Sequence, residues 1–345
     1  MLMSTRLPAE FEQHACTVLA WPSNPRDWPG KLPAVQWAFV EYVRHCAESE
    51  PVLLAAPSEA VALKARRMLN HADTDLERVR FMVAPMDRGW MRDCLPLFVQ
   101  RDGEVIGKHF AFNAWAKYPN WQHDAKLPEA ACKQLGLRRE TVKAGKQAVV
   151  LEGGAIDSNG QGTLLTTEEC LLDPEEQVRN PGWGAQDYER IFREQLGVEQ
   201  VLWLGEGIAG DDTHGHVDDL CRFVSPDTVV LCEEKDARDE NYRALKENRE
   251  RLQDVRLANG KKLKVVPLPM PRPLYFEGLR LPASYANFYI TNEAVLVPTF
   301  NDPMDRVALG ILAELFPKRR VVGIHCVDIV WGFGTLHCLS HEVPA

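Results

Sequence analysis

The stretch LCRFVSPDTVVLCEE, Leu220–Glu234, is where the architecture first becomes legible. Apolar and β-branched residues fill both arms, and Ser225-Pro226-Asp227 between them is turn chemistry, so the segment reads as strand, short polar turn, strand. The same unit recurs in FVQRDGEVIGKHF (98–110), AIDSNGQGTLLTT (155–167) and ANFYITNEAVLVPTF (286–300). Turns near residues 102, 159, 226 and 292 place the units roughly 55 to 70 residues apart. Helical patterns fill the intervals: KLPAVQWAFVEYVRHCAESE (31–50), DYERIFREQLG (187–197), DARDENYRALKENRERLQDVR (236–256) and PMDRVALGILAELFP (303–317). Four such units, with a partial fifth at each end, fit a radial or stacked α/β repeat. An open doubly wound sheet with crossover helices fits as well. No low-complexity segment or Gly/Ser linker divides the chain, and residues 1–345 are read as a single domain.

Composition narrows the class. The chain has 345 residues, 45% hydrophobic and 26% charged, as in an ordinary soluble globular protein. A formal net charge of −9 disfavours a nucleic-acid or anionic-membrane partner and suits a cationic small molecule. The basic runs KARR (64–67) and PKRR (317–320) are short and are expected on solvated helix faces. The opening residues lack the apolar core of a secretory signal, and no run approaches the ~20 residues of a membrane helix. Nine scattered cysteines without a C-x-x-C pair make a poor disulfide framework and a poor structural zinc site. A reducing cytoplasm is the expected location, with most of the thiols acting as small buried hydrophobes.

The polar clusters sit beside the strand units. WMRD (90–93) precedes the first hairpin, LEGG (151–154) the second and HGHVDD (214–219) the third, while LHC (336–338) lies near the C-terminus. The segment GDDTHGHVDDLCRF (210–223) supports three readings: a metal centre, a cation pocket, or a solvated loop. His214, His216 and Asp218 resemble the H-x-H-x-D-H run of binuclear zinc hydrolases, but Asp219 stands where that run has its last histidine. His337 and His341 add an H-x-x-x-H pair without a following glutamate. The competing reading needs a nucleophile. Cys338 follows a glycine-rich approach that lets backbone come close to a ligand, whereas Cys326, in a second His-Cys pair, reads as buried strand core. A thiolate needs a neighbouring cation or base, and His216 is a candidate. Asp93, Glu152, Asp212 and Asp218 would repel the oxyanion of an acyl substrate but would grip a planar guanidinium. Amidine chemistry is therefore favoured over a cysteine protease.

These words, in this order, resemble the agmatine deiminase and bacterial-type peptidylarginine deiminase family. The matching segments are WMRD, FNAW (112–115), LEGGAID (151–157), LLTTEECLL (164–172), RNP (179–181), GDDTHGHVDDLCRFV (210–224), YANFYI (285–290), PTFND (298–302) and GFGTLHC (332–338). The chain departs from the family pattern at Leu95, Ala116, His214, Phe333 and the tail Ser340-His341-Glu342. The resemblance implies a five-bladed, pseudo-symmetric α/β propeller of repeated ββαβ units with a central active site. It implies hydrolysis of agmatine to N-carbamoylputrescine and ammonia, a step of putrescine and polyamine biosynthesis, with neither a metal nor an organic cofactor. In that scheme Cys338 attacks the guanidinium carbon to form an amidino-cysteine and His216 carries protons. Asp93 and Asp218 grip the substrate, and Glu152 supports the site. Trp90 and Trp115 wall the alkyl chain, and Asp212 faces the distal amine. Partners are then a small cationic guanidine and possible further copies of the chain. Arginine in peptides, or another small guanidine, is the alternative substrate. A binding module without turnover is the alternative class.

Overall fold

The computed structural model describes residues 5–345. The four hairpins read from the sequence are present as antiparallel pairs: Leu97–Arg101 with Glu104–His109, Asp157–Ser158 with Thr163–Thr167, Cys221–Ser225 with Thr228–Glu233, and Tyr289–Ile290 with Ala294–Thr299. In each case the second strand gains a parallel neighbour, respectively Arg138–Thr141, Gln200–Leu204, Lys264–Pro269 and Arg320–His325. Parallel neighbours cannot be joined by a tight turn. The connections run instead through the helices Leu127–Leu135, Ala185–Leu196, Asn241–Arg251 and Pro303–Leu315.

The fifth sheet joins the two ends of the chain. Strand Ser340–Pro344 pairs antiparallel with His14–Ala20, which continues in parallel to Val52–Ala56 and Val79–Val83. Helix Leu32–Ser49 makes the first of these crossovers. It buries Val35, Phe39, Tyr42, Val43 and Cys46, the spacing of one helical face. Its Tyr42 hydroxyl donates to the Leu336 carbonyl at 2.9 Å, tying the helix to the segment that carries Cys338.

Helix ends follow local chemistry. Asp302 caps the last crossover helix by accepting from the Met304 amide, with Pro303 in the first turn. Gly197, at φ 71°, closes helix Ala185–Leu196 in the left-handed conformation. Two expectations shift. The run 236–256 is helical only from Asn241 to Arg251, and PKRR lies in the turn after helix Pro303–Leu315 and at the start of the next strand. Pro317 stops that helix because its ring cannot continue the backbone hydrogen bonding. KARR does lie on a helix, Glu59–His71, with Lys64, Arg66 and Arg67 exposed. All nine cysteines are free and buried, Cys326 just beyond its strand. Among the described residues no helix is long and apolar enough to cross a membrane.

Candidate active site

The polar clusters occupy equivalent places in the five sheets, each just ahead of an antiparallel strand. Asp93 lies in a short helix, Met91–Cys94, before strand Leu97–Arg101. Glu152 precedes the 3-10 turn Gly153–Ala155, and His216 precedes the 3-10 turn Val217–Asp219, which contains Asp218. Asn287 stands before strand Tyr289–Ile290, and Cys338 before strand Ser340–Pro344.

These tips converge. The His216 ring places Nδ1 3.8 Å from Asp93 Oδ1 and 3.9 Å from Asp218 Oδ1, while its Nε2 is 3.9 Å from Glu152 Oε2. Cys338 Sγ lies 3.6 Å from Asp218 Oδ2 and accepts from the Asn287 amide at 3.1 Å. Gly154 sits among them. A Cβ there would fall 2.5 Å from His216 Nδ1 and 2.8 Å from Asp93 Oδ1, so only glycine leaves the carboxylate and imidazole in place. Its amide donates to Asp93 Oδ1 at 3.0 Å, and the Trp115 indole donates to Oδ2 at 2.9 Å. Gly334 serves the nucleophile in the same way, since a Cβ there would meet Cys338 Sγ at 3.2 Å and Trp90 at 3.0 Å.

The electrostatics differ from group to group. Burial pushes the Asp93 carboxyl up to about 6 despite the opposing charge of His216, with Asp218 and Glu152 adding to the rise. Burial acts in the same direction on Glu152, but Arg179 and His216 hold it at about 2. Burial alone would lower the His216 pKa, yet Asp93, Cys170 and Glu152 carry it well above the usual imidazole range. The Cys338 thiol is pushed well above its ordinary value by burial and then by Asp218, Asp219 and Asp93, against the Asn287 hydrogen bond. Burial and the surrounding carboxylates thus favour the thiol form of Cys338 and the charged form of His216. A cation placed among those carboxylates lowers the thiol pKa.

A cavity of about 140 Å³ opens onto Asp93 and Cys338 and is lined by Trp90, Trp115 and Asp212 among others. Asp212 stands at its mouth with both oxygens engaged, one by Lys117 Nζ and one by the Tyr118 hydroxyl, each at 2.6 Å. Asp27, also lining the cavity, receives Arg88 Nη1 on Oδ1 at 2.8 Å.

The histidine patterns do not gather into one metal centre. His214 turns away to Asp173 at 3.0 Å, and His341 bonds the Pro96 carbonyl at 2.7 Å. Two smaller groupings, Glu152 with Cys170 and His216, and Asp218 with Asp219 and Cys338, bring ligand-type atoms within 4.8 Å of one another. The first already holds the Arg179 guanidinium on Glu152 at 3.2 Å, and the second holds the Asn287 amide on both Cys338 and Asp219. These partners belong to a cation or amide environment rather than to an open metal site.

Sequence reasoning singled out none of Asn287, Glu10 and Arg179, and weighed His337 only as a metal-ligand candidate. Asn287 had a usable signal, because it precedes the fourth hairpin as WMRD and LEGG precede the first two. Glu10 had none, since its contacts with Arg92, Arg222 and His337 join residues far apart in the chain.

The family model described as Porphyromonas-type peptidyl-arginine deiminase matches residues 6–344. An agmatine deiminase of Pseudomonas fluorescens is 37% identical over 364 residues, covering 98% of this chain and 95% of that protein. The solved structure of an agmatine deiminase of Enterococcus faecalis superposes with a TM-score of 0.90 at 32% identity, covering 99% of this chain and 96% of the other. An amidinotransferase from Microseira wollei shares the fold at 12% identity, with a TM-score of 0.53 and coverage of 99% and 97%. With the Cys338 thiol and Asp93 on one cavity and His216, Asp218 and Glu152 packed behind them, the chain belongs to the Porphyromonas-type peptidyl-arginine deiminase family, within its agmatine deiminase group of hydrolases acting on amidines.

Proposed function

We propose that this hydrolase deiminates agmatine, converting the guanidinium and one water to N-carbamoylputrescine and ammonia. The observation that carries the reading is a buried thiol, Cys338, at a cavity shared with Asp93 and lying 3.6 Å from the carboxylate of Asp218. Asp93 and Asp218 pair with the N–H edges of the guanidinium and fix its plane. The bound cation lowers the thiol pKa, the thiol loses its proton to solvent, and the thiolate adds to the central carbon. His216, already protonated, gives its proton to the departing nitrogen, and ammonia leaves an amidino-cysteine. Neutral His216 then takes a proton from water, which adds to the same carbon. Collapse expels the thiolate and releases the ureido product. Glu152, fixed by Arg179, keeps the imidazole charged and in register.

Trp90 and Trp115 wall the alkyl chain, and Asp212 receives the distal ammonium in exchange for Lys117. The small cavity favours a free guanidine over arginine within a peptide. The same reading takes the five sheets as blades of a pseudo-fivefold propeller and the chain as one catalytic domain, since a residue from each tip takes part in the site.

The test uses metal-free protein, agmatine and an ammonia assay. Turnover is expected to survive a chelator and to be abolished by Cys338→Ser. Loss on chelation with survival of the Cys338→Ser variant would make this a metal-dependent hydrolase. A C-terminal arginine peptide consumed faster than agmatine would assign the peptide substrate.

A further inference from the structure

His337 takes no part in the chemistry above, yet it is buried at 2% exposure between two carboxylates. Its Nδ1 is 2.6 Å from Asp218 Oδ2 and its Nε2 is 2.7 Å from Glu10 Oε2. Both ring nitrogens therefore face carboxylate oxygens, which when ionised only accept. Glu10 is held in the ionised form. Its Oε2 also receives Arg92 Nη2 at 3.1 Å and forms an ion pair with Arg222 Nη2 at 3.0 Å, and its Oε1 accepts from the Ile290 amide at 2.8 Å. Against its burial, Arg222, His337 and Arg92 keep this carboxyl well below the usual range.

The other end of the ring reaches the substrate clamp. Asp218 is completely buried, and its Oδ1 has no hydrogen-bond partner, while Oδ2 is taken by His337. The backbone amides of His337 and Cys338 both point to Asn287 Oδ1, at 3.1 and 3.4 Å, so the turn that places the ring also places the sulfur. Asp218 faces His216, Asp219, Cys338 and Asn287 behind the cavity wall, and its ionisation also feels Arg222. Of these groups, His337 makes the shortest contact with it.

We infer that Glu10 and His337 are positioning residues: a Glu10–His337–Asp218 chain in which a standing imidazolium keeps Asp218 ionised and turned so that Oδ1 is free for the guanidinium. This rests on the reading that Asp218 grips the substrate. It adds that the grip is set from the N-terminal segment, through a ring that touches no reacting atom. The charges sum to −1 across the three groups, so the clamp keeps its attraction for a cation.

The experiment uses full-length protein labelled with ¹⁵N-histidine, together with agmatine kinetics. At neutral pH the wild type should show two solvent-protected ring N–H protons for His337, both absent in His337→Gln. In that variant KM for agmatine should rise about ten- to hundredfold. Without the imidazolium, burial raises the Asp218 pKa, so the acid limb of kcat/KM, set in the wild type by Asp93, should steepen and move up. Glu10→Gln should move the limb in the same direction by less. A merely structural role would lower stability or the active fraction and leave the limb in place. A single ring N–H proton in the wild type, or an unmoved limb in both variants, overturns the inference. If His337→Gln does not fold, the wild-type spectrum and Glu10→Gln decide it. If the wild type consumes no guanidine, the parent reading has failed, and the spectrum alone still decides whether the charged chain exists.

Discussion

The two ends of the cavity are built on opposite principles. At the closed end, behind the wall formed by Asp93 and Cys338, both ring nitrogens of His216 and Oδ1 of Asp218 are buried without a hydrogen-bond partner. Each such atom costs about 1–3 kcal/mol. At the mouth most charge is already matched: Lys117 and Tyr118 satisfy Asp212, and Arg88 serves Asp27, while the exposed Arg26 faces solvent. In the proposed reading a guanidinium satisfies Asp218 Oδ1 but not the ring nitrogens of a charged His216, which are donors themselves, whereas a substrate tail must displace a contact at the mouth. The contrast assigns chemistry and tight charge recognition to the closed end and a weaker discrimination to the mouth.

The sharpest break of this contrast is Cys338→Ser, which should lower kcat for agmatine at least about ten-thousandfold while the unfolding midpoint stays put. The next concerns the scaffold of the closed end. Arg179 and Glu152 have no side-chain exposure, so Arg179→Ala leaves a buried carboxylate unpaired and should cost about 3–5 kcal/mol in urea unfolding. A loss below about 1 kcal/mol would mean that Glu152 is neutral in the fold. The pH profile comes third. Asp93 must be ionised to hold a cation, and its pKa stands at about 6, so below that value kcat/KM should fall by a further factor of about ten per pH unit. Above it the rate should keep rising into the alkaline range, because burial and the surrounding carboxylates raise the Cys338 pKa. The smallest effect is expected at the mouth. Lys117→Ala frees Asp212 and should lower KM for agmatine by no more than about fivefold, the worth of an exposed ion pair. An effect as large as that of losing Asp93 would erase the distinction between the two ends.

Sequence carried the local parts of this molecule well. Alternating strands with a turn between them need only neighbouring residues, and all four hairpins lie where the pattern puts them. The fifth sheet was legible only as two loose ends, because Ser340–Pro344 pairs with His14–Ala20 across nearly the whole chain. Among site residues, Cys338, His216, Asp93, Asp218 and Glu152 stood in recognisable words, and the fold brings them together. Ring direction was not legible. His214 and His216 are two residues apart, yet one meets Asp173 at the rim and the other sits fully buried among Asp93, Glu152 and Asp218. The positive φ of 65° at His214 and 85° at Gly215 turns the chain between them. The reach of Glu10 into the site is a product of tertiary packing alone.

The most direct measurement is the intact mass of the enzyme after rapid acid quench during turnover of agmatine, followed by peptide mapping. The expected species carries the substrate's amidino carbon on the sulfur of Cys338, formed with loss of ammonia and gone once substrate is exhausted. Undiminished turnover with no adduct, or with an adduct on another of the nine cysteines, would contradict it.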